Sequence, residues 1–176
     1  MATTITHLDA VSAEEAVDEL TALLIDAVAA GASLGFQHPL VPDEAQAYWQ
    51  TVVADLAAQR LWLAVAVTDH RALVGSVQMR FPPLPNGRHR AEVEKLLVLR
   101  SHRRQGIGDS LLAFAETAAI ADGRTLLFLE VRDGSGAERL YARRGWTKVG
   151  VIPGHARYPR GGFAGTAIWY TTLPQP

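Results

Sequence analysis

The chain reads as an α/β protein in which a mixed sheet carries helices on both faces. Three observations predict this. The apolar patterning gives the element order β-α-α-β-β-β-α-β-α-β-β. Hairpin-linked strands come first and favour antiparallel pairing, while the later strand–helix alternation favours a parallel step. A length of 176 residues, with 48% hydrophobic and 20% charged side chains, suits a single domain with a sizeable core.

Each element has a local reason. Thr3–Leu8 alternates weakly, as a short first strand would. Ser12 with Glu15 three residues on forms a capping-box pattern, opening a helix that Leu20, Leu23, Leu24, Ala27 and Val28 keep in period to about Ala30. Gly31 and Gly35 break that period and start a loop. Asp43 is placed to cap a second helix to about Gln59, with Tyr48, Val52 and Leu56 on its buried face. Leu61–Val67 is a strand, the TDHR tetrapeptide a turn, and Ala72–Phe81 the returning strand. A Pro/Gly loop leads to the strand Ala91–Leu99. Gly106–Ala121 is an apolar helix ended by Gly123. Thr125–Val131 is apolar enough to predict a central strand covered on both sides. Ala137–Arg144 is a helix ended by Gly145, Trp146–Ile152 a strand, and Thr166–Leu173 the last strand.

Composition excludes several functions. Lys+Arg total 17 against 18 Asp+Glu, so there is no basic excess for a nucleic-acid partner. The chain has no cysteine, which removes disulfide scaffolds, zinc ribbons and cysteine nucleophiles. The six histidines are scattered without an i,i+4 pair, so no metal site is expected. The opening MATTITHLDAVSAEEA has neither the basic nor the apolar stretch of a signal peptide. No apolar run approaches the roughly 18 residues of a membrane span. The expectation is a soluble cytoplasmic protein with no membrane partner.

Chemistry concentrates in VEKLLVLRSHRRQGIGDSLLAFAE. A strand runs into a basic, glycine-bearing turn, and a helix follows. Unpaired N–H groups at a helix start, aided by the helix dipole, favour an anion. Gly106 and Gly108 let backbone approach it, and His102, Arg103 and Arg104 add cationic donors. The same glycines also suit a plain tight turn. No Lys follows Gly108, which excludes a Walker A loop, and the third glycine of a dinucleotide fingerprint would fall at Leu111.

The R-x-x-G-x-G turn after an apolar strand resembles the acetyl-CoA loop of the GNAT acetyltransferases. GSGAERLYARRGWTKVG resembles that family's later helix-and-strand motif, with Ala137, Tyr141, Gly145 and Trp146 at matching positions. The opening β-α-α-β-β order matches too, so the resemblance spans essentially the whole chain and implies the GNAT fold. Within the family, GASLGF, RAEVEKL, IPGHARYP and TAIWYTTL are most similar to the tabtoxin-resistance acetyltransferases. Three positions depart from the pattern. Arg104 stands where glycine is frequent, Arg100 where proline is, and Gly134 where asparagine is. Asp133 or Ser135 would then have to cap the following helix.

The resemblance implies acetyl-CoA as co-substrate. Leu97, Val98 and Leu99 would offer backbone to its pantetheine arm, an added-strand arrangement. Arg103, Arg104, Gln105, Gly106, Ile107, Gly108, Asp109 and Ser110 would line the pyrophosphate. A protonated alkyl amine is not nucleophilic, so a base is needed. Glu92 and Glu94 share one side of their strand by period two. Glu92 matches the family's acidic residue at the substrate and is the expected base. Glu130 matches a second acidic position that would hold the ammonium or share that role, and Tyr141 matches the proton donor to the departing thiolate. Without the resemblance, all three also suit scaffold roles. Phe36, Tyr48 and Trp49 fall where the family walls its acceptor pocket, although helix packing is the simpler account of them. Arg139, Arg143 and Arg144 form a solvated basic face with reach toward the adenosine phosphate, and HARYPRGG is a loop able to cover the acceptor.

The implied activity is acetyl transfer to a primary amine of a small molecule, including amino-acid-like toxins and hence antibiotic resistance. The alternatives are a protein or peptide acceptor, or an acyl-CoA-binding sensor without turnover. Many family members pair as homodimers, which sets the oligomeric expectation.

Overall fold

A computed structural model describes residues 3–174; Met1, Ala2, Gln175 and Pro176 lie outside the described residues. The strands are β1 (Thr3–Leu8), β2 (Leu61–Thr68), β3 (Leu73–Arg80), β4 (Arg90–Val98), β5 (Leu126–Arg132), β6 (Thr147–Arg157) and β7 (Phe163–Thr172). The α-helices are α1 (Ala10–Glu15), α2 (Val17–Ala29), α3 (Pro42–Ala57), α4 (Ile107–Ala121) and α5 (Glu138–Arg143). The strands form one seven-stranded sheet in the order β1-β2-β3-β4-β5-β7-β6. Only β4 and β5 pair in parallel, and the other neighbours are antiparallel. This is the expected mixed sheet with helices on both faces.

Two apolar cores sandwich the sheet. On one face α4 and α5 bring Leu111, Leu112, Ala115 and Tyr141 onto Val77, Ala91, Val93, Leu127 and Leu129. On the other face α1, α2 and α3 bring Ala13, Leu20, Leu24, Val28 and Trp49 into one core with Leu63, Val65 and Leu97. Gly75 makes the first packing possible. A Cβ there would stand 2.8 Å from the Leu97 carbonyl oxygen and 3.0 Å from Leu111 Cδ1. Gly75→Ala should therefore destabilise the fold by about 1–3 kcal/mol, because backbone has to give way. A urea melt measures this, and an unchanged midpoint would show that β3 and β4 separate at little cost.

Several local expectations need correction. The first helix is capped by Asp9, not Ser12: the Asp9 carboxylate accepts from the Ser12 N–H at 2.8 Å. It breaks at Ala16 into α1 and α2. Helix α3 starts at Pro42, whose fixed φ and missing N–H suit a first helical position, with Val41 and not Asp43 as the flanking residue. Neither Asp133 nor Ser135 caps α5; the Glu138 carboxylate accepts from the Gly134 N–H at 2.7 Å instead. Strand β5 is not covered on both sides: Leu127 and Leu129 are buried, Phe128 is half-buried and Glu130 is exposed. It also runs two residues past Glu130. Strand β6 continues through Arg157, so only residues 158–162 of HARYPRGG form the loop. The long pairing with β7 holds β6 in place although nearly all of its residues are exposed.

Candidate active site

The site arises because β4 and β5 part. Their parallel pairing covers only Arg90↔Leu126, Ala91↔Leu127 and Glu92↔Phe128. Two residues later β4 carries a bulge against β3: Ser76 pairs with Leu97, but Gln78 pairs with Glu94. The extra residue swings the strand, and Lys95 takes a left-handed φ of 46°. Its effect on side-chain direction is visible in the cores, since Val93 packs with α4 whereas Leu97 packs with α2 and α3. Past Glu92, the β4 edge facing β5 has no strand partner among the described residues. A cleft of about 540 Å³ opens there, between β4, the C-terminal half of β5, the end of α2 and the start of α4 and α5.

The anion end of the cleft is the turn before α4. Gly106 adopts φ 83° as the flanking residue of α4, a conformation that costs an L side chain about 1–2 kcal/mol. The first intrahelical bond runs from the Ser110 N–H to the Gly106 carbonyl at 3.0 Å. Ile107, Gly108 and Asp109 therefore keep free N–H groups at the cleft. Arg104, where the resembled family has glycine, also has a positive φ, 61°. Arg100, where proline is frequent, uses the N–H that proline lacks: Asp26 accepts from its backbone at 3.0 Å and from its Nε at 2.7 Å, tying the turn to α2.

Of the expected cofactor residues, Leu97, Val98, Arg103, Arg104, Gly106, Ile107, Gly108 and Asp109 line the cleft. Gln105, Ser110 and Leu99 are not among its lining. Leu99 donates its N–H to Val74, and the Val98 carbonyl accepts from Arg103 Nε at 3.0 Å. The basic face of α5 divides. Arg139 and Arg143 line the cleft, whereas Arg144 is bound to Asp109 and Glu116. Ser135 also lines it, and its buried Oγ has no partner. A phosphate-bearing chain fits these features: free amide donors, arginines, an unpaired strand edge and an orphaned hydroxyl.

The other end is acidic. Glu92 and Glu94 stay on one face of β4, because the bulge lies beyond both. Phe128 and Glu130 share that face of β5 by register. Glu94 and Glu130 line the cleft; Glu92, half-buried where the strands begin to part, is not among its lining. Burial pushes the Glu92 carboxyl up, and the charges of Glu94 and Glu130 push it further. Glu94 is clamped instead. Arg80 Nε donates to it at 3.0 Å, and Arg80 Nη1 donates to Asp55 at 2.8 Å. Asp55 accepts again from Arg60. The carboxylates thus differ in kind: one is ion-paired, the other is burdened by like charge.

The Arg80 and Arg60 guanidinium groups hold the Asp55 carboxyl below its ordinary value. Its contribution to stability is present above the unfolded pKa near ~4 and is lost as pH falls through the lower folded value. Asp55→Asn should cost about 1.5–3 kcal/mol at neutral pH. The difference from wild type should shrink in acid, where wild-type Asp55 takes up its proton. Thermal melts of both proteins across that range measure it, and a constant difference would mean that Asp55 acts by packing.

Tyr141 lines the cleft from α5 and is 5% exposed, packed beside Trp146 and Trp169. Burial pushes its phenol well above the ordinary value, so it holds its proton. None of the three aromatic residues expected at the acceptor is among the cleft's lining. Phe36 and Tyr48 meet edge to face at 5.4 Å, and the Tyr48 hydroxyl donates to Gln78 at 2.9 Å. Trp49 is fully buried in the core and contributes no wall. The loop over residues 158–162 is tied to the end of β5, to the segment after α2 and to α2 itself. Arg132, a cleft residue, donates to the Tyr158 hydroxyl, Pro159 accepts from the His38 N–H, and Arg160 donates to the Ala29 carbonyl.

Lys95, Ser135, Arg132 and the end of α2 are cleft residues that sequence reasoning missed. A signal for Lys95 was present: Glu94-Lys95 followed by Leu96-Leu97 breaks the alternation, as a bulge does.

Residues 26–146 match the sequence model of the acetyltransferase (GNAT) family. Among solved structures, ribosomal-protein-alanine N-acetyltransferase from Brucella melitensis superposes with a TM-score of 0.80 at 20% identity, covering 97% of this chain and 99% of that one. The yncA protein of Salmonella typhimurium, solved with its cofactor acetyl-CoA, gives 0.79 at 17% identity over 100% and 96%. A phosphinothricin acetyltransferase from Sinorhizobium meliloti, solved with acetyl-CoA, gives 0.79 at 17% identity over 98% and 89%. At these identities the likeness is one of fold. No helix among the described residues is long and apolar enough to cross a membrane.

Proposed function

Because the chain belongs to the GNAT acetyltransferase family, and so is an acetyl-CoA-dependent N-acetyltransferase, we propose that it acetylates a primary amine of a small molecule at the acidic end of the cleft. The observation that carries this reading is the grouping of Glu92, Glu94 and Glu130 where β4 and β5 part. An ammonium is drawn to such a group by charge. The toxin-like acceptors of the tabtoxin-resistance and phosphinothricin enzymes are the first to test.

In this reading the β4 edge and the α4 turn hold acetyl-CoA. The free N–H groups of Ile107, Gly108 and Asp109, with Arg103 and Arg104, take the pyrophosphate, and the backbone of Leu97 and Val98 takes the pantetheine arm. Glu130 attracts the acceptor ammonium. Glu92 removes a proton from the amine, directly or through water, and burial with the neighbouring carboxylates makes it a stronger base than an ordinary carboxylate. The amine then attacks the thioester carbonyl. Tyr141, kept protonated by burial, supplies a proton to the leaving sulfur.

Thiol release from acetyl-CoA, measured against small amines, amino acids and toxin analogues, tests the proposal. Turnover with a small amine is expected. Turnover only with peptides would replace it by a protein acceptor. Binding of acetyl-CoA without turnover on any amine would replace it by a sensor.

A further inference from the structure

The chain uses lysine at only two of its 17 basic positions, Lys95 and Lys148. Everywhere else it uses arginine, which does not lose its proton in proteins. Lys148 has a surface role, bridging Asp133 and Glu138 at 2.8 Å each. Lys95 is different. It is the left-handed residue of the β4 bulge, it is half-buried, and it lines the cleft beside Glu94. Its Nζ stands 5.1 Å from the centre of the Tyr48 ring, and no carboxylate forms an ion pair with it among the described residues. Arg80 satisfies Glu94 instead. The proposed site thus contains an amine of the protein's own, and the one basic side chain type able to become a nucleophile stands there.

Resting on the acetyl-transfer reading above, we infer that Lys95 is an acetylation site of the enzyme itself, modified from bound acetyl-CoA when no acceptor amine occupies the cleft. Burial pushes the Lys95 amine down, against the pull of Glu94 and Glu92, so the neutral form is more accessible than for an exposed lysine. The step balances without any further reagent. The ammonium loses a proton toward Glu92, and Nζ attacks the thioester carbonyl carbon. The new N–C bond forms as the C–S bond breaks. The sulfur leaves with the bonding pair and takes up a proton, and the second amine proton is lost to the base. Acetyl-lysine, free coenzyme A and one proton result. The product is neutral, so the acidic group keeps Arg80 but loses the charge of Lys95, and the added acetyl group takes up volume in the cleft. The enzyme would thereby restrain itself when acetyl-CoA is abundant and acceptor scarce.

The experiment incubates the full-length protein with acetyl-CoA and no acceptor, then locates acetyl groups by intact mass and peptide mapping. Melting temperature with and without acetyl-CoA reports binding separately. One acetyl group is expected on Lys95, at a rate at least about 10²-fold above that of Lys148, because amine and thioester are held together. Excess coenzyme A should suppress it, as should a small amine found to be an acceptor. Lys95→Arg, which keeps the charge, should bind acetyl-CoA and stay unmodified. Lys95 unlabelled while acetyl-CoA raises the melting temperature would overturn the inference. Equal labelling of Lys95 and Lys148, or labelling indifferent to coenzyme A, would overturn it as well. Small-amine turnover with Lys95 unlabelled would sink this inference alone. Absence of small-amine turnover with Lys95 labelled would sink only the choice of acceptor.

Discussion

Glu92→Gln is expected to lower kcat by about 10²–10⁴-fold while leaving the KM for acetyl-CoA near the wild-type value. The substitution keeps shape and removes only the proton-accepting oxygen, and Glu92 lies outside the turn that would hold the pyrophosphate. The pH dependence carries the sharper test. A base must be ionised, so wild-type kcat/KM should fall as pH drops through the Glu92 pKa. That fall should come at higher pH than for an ordinary carboxyl, because burial and the neighbouring Glu94 and Glu130 raise it. The acid limb should vanish in Glu92→Gln. Thiol release at several pH values on both proteins measures this. A variant that keeps both rate and limb would transfer the base role to Glu130, whose replacement is the next variant to make.

Trp49→Ala is expected to destabilise the protein by about 3–5 kcal/mol, since the side chain is fully buried between α3 and the sheet. At roughly 2–4 °C per kcal/mol for a chain of this size, the melting temperature should drop by about 10 °C. Trp49→Phe should cost much less, because it keeps an aromatic ring and removes an indole N–H that is buried without a partner. Acceptor KM in Trp49→Phe should match wild type. A raised KM with an unchanged melting temperature would show that Trp49 touches the acceptor after all.

Trp49 illustrates where sequence reasoning stops. Tyr48 and Trp49 are adjacent on one helix, and either could face the site or the core. A helix rotates successive residues by roughly 100°, so adjacent positions diverge, but only the docking angle of α3 decides which one is buried. In the same way, the apolar run Leu126–Leu129 announces a strand. Nothing local tells that β4 abandons it after Phe128 and leaves Glu130 open to the cleft. The cap at Asp9 was missed for a simpler reason: Asp9 and Ser12 are both good caps, and the geometry of the first turn chose between them.

The sequence by itself determined the mixed sheet, the strand–turn–helix that presents free amide groups at Gly106, and the pair Glu92 and Glu94 on one strand face. These are local properties, set by a period of two, a period of 3.6 and a glycine with positive φ. Tertiary structure alone decided that β4 and β5 separate, that Arg80, itself held by Asp55, pairs with Glu94 while Glu92 stays without an ion pair, that Lys95 turns into the cleft, and that loop 158–162 crosses to α2. Each of these joins residues far apart in the chain, and their energies depend on burial and on charges met only after packing.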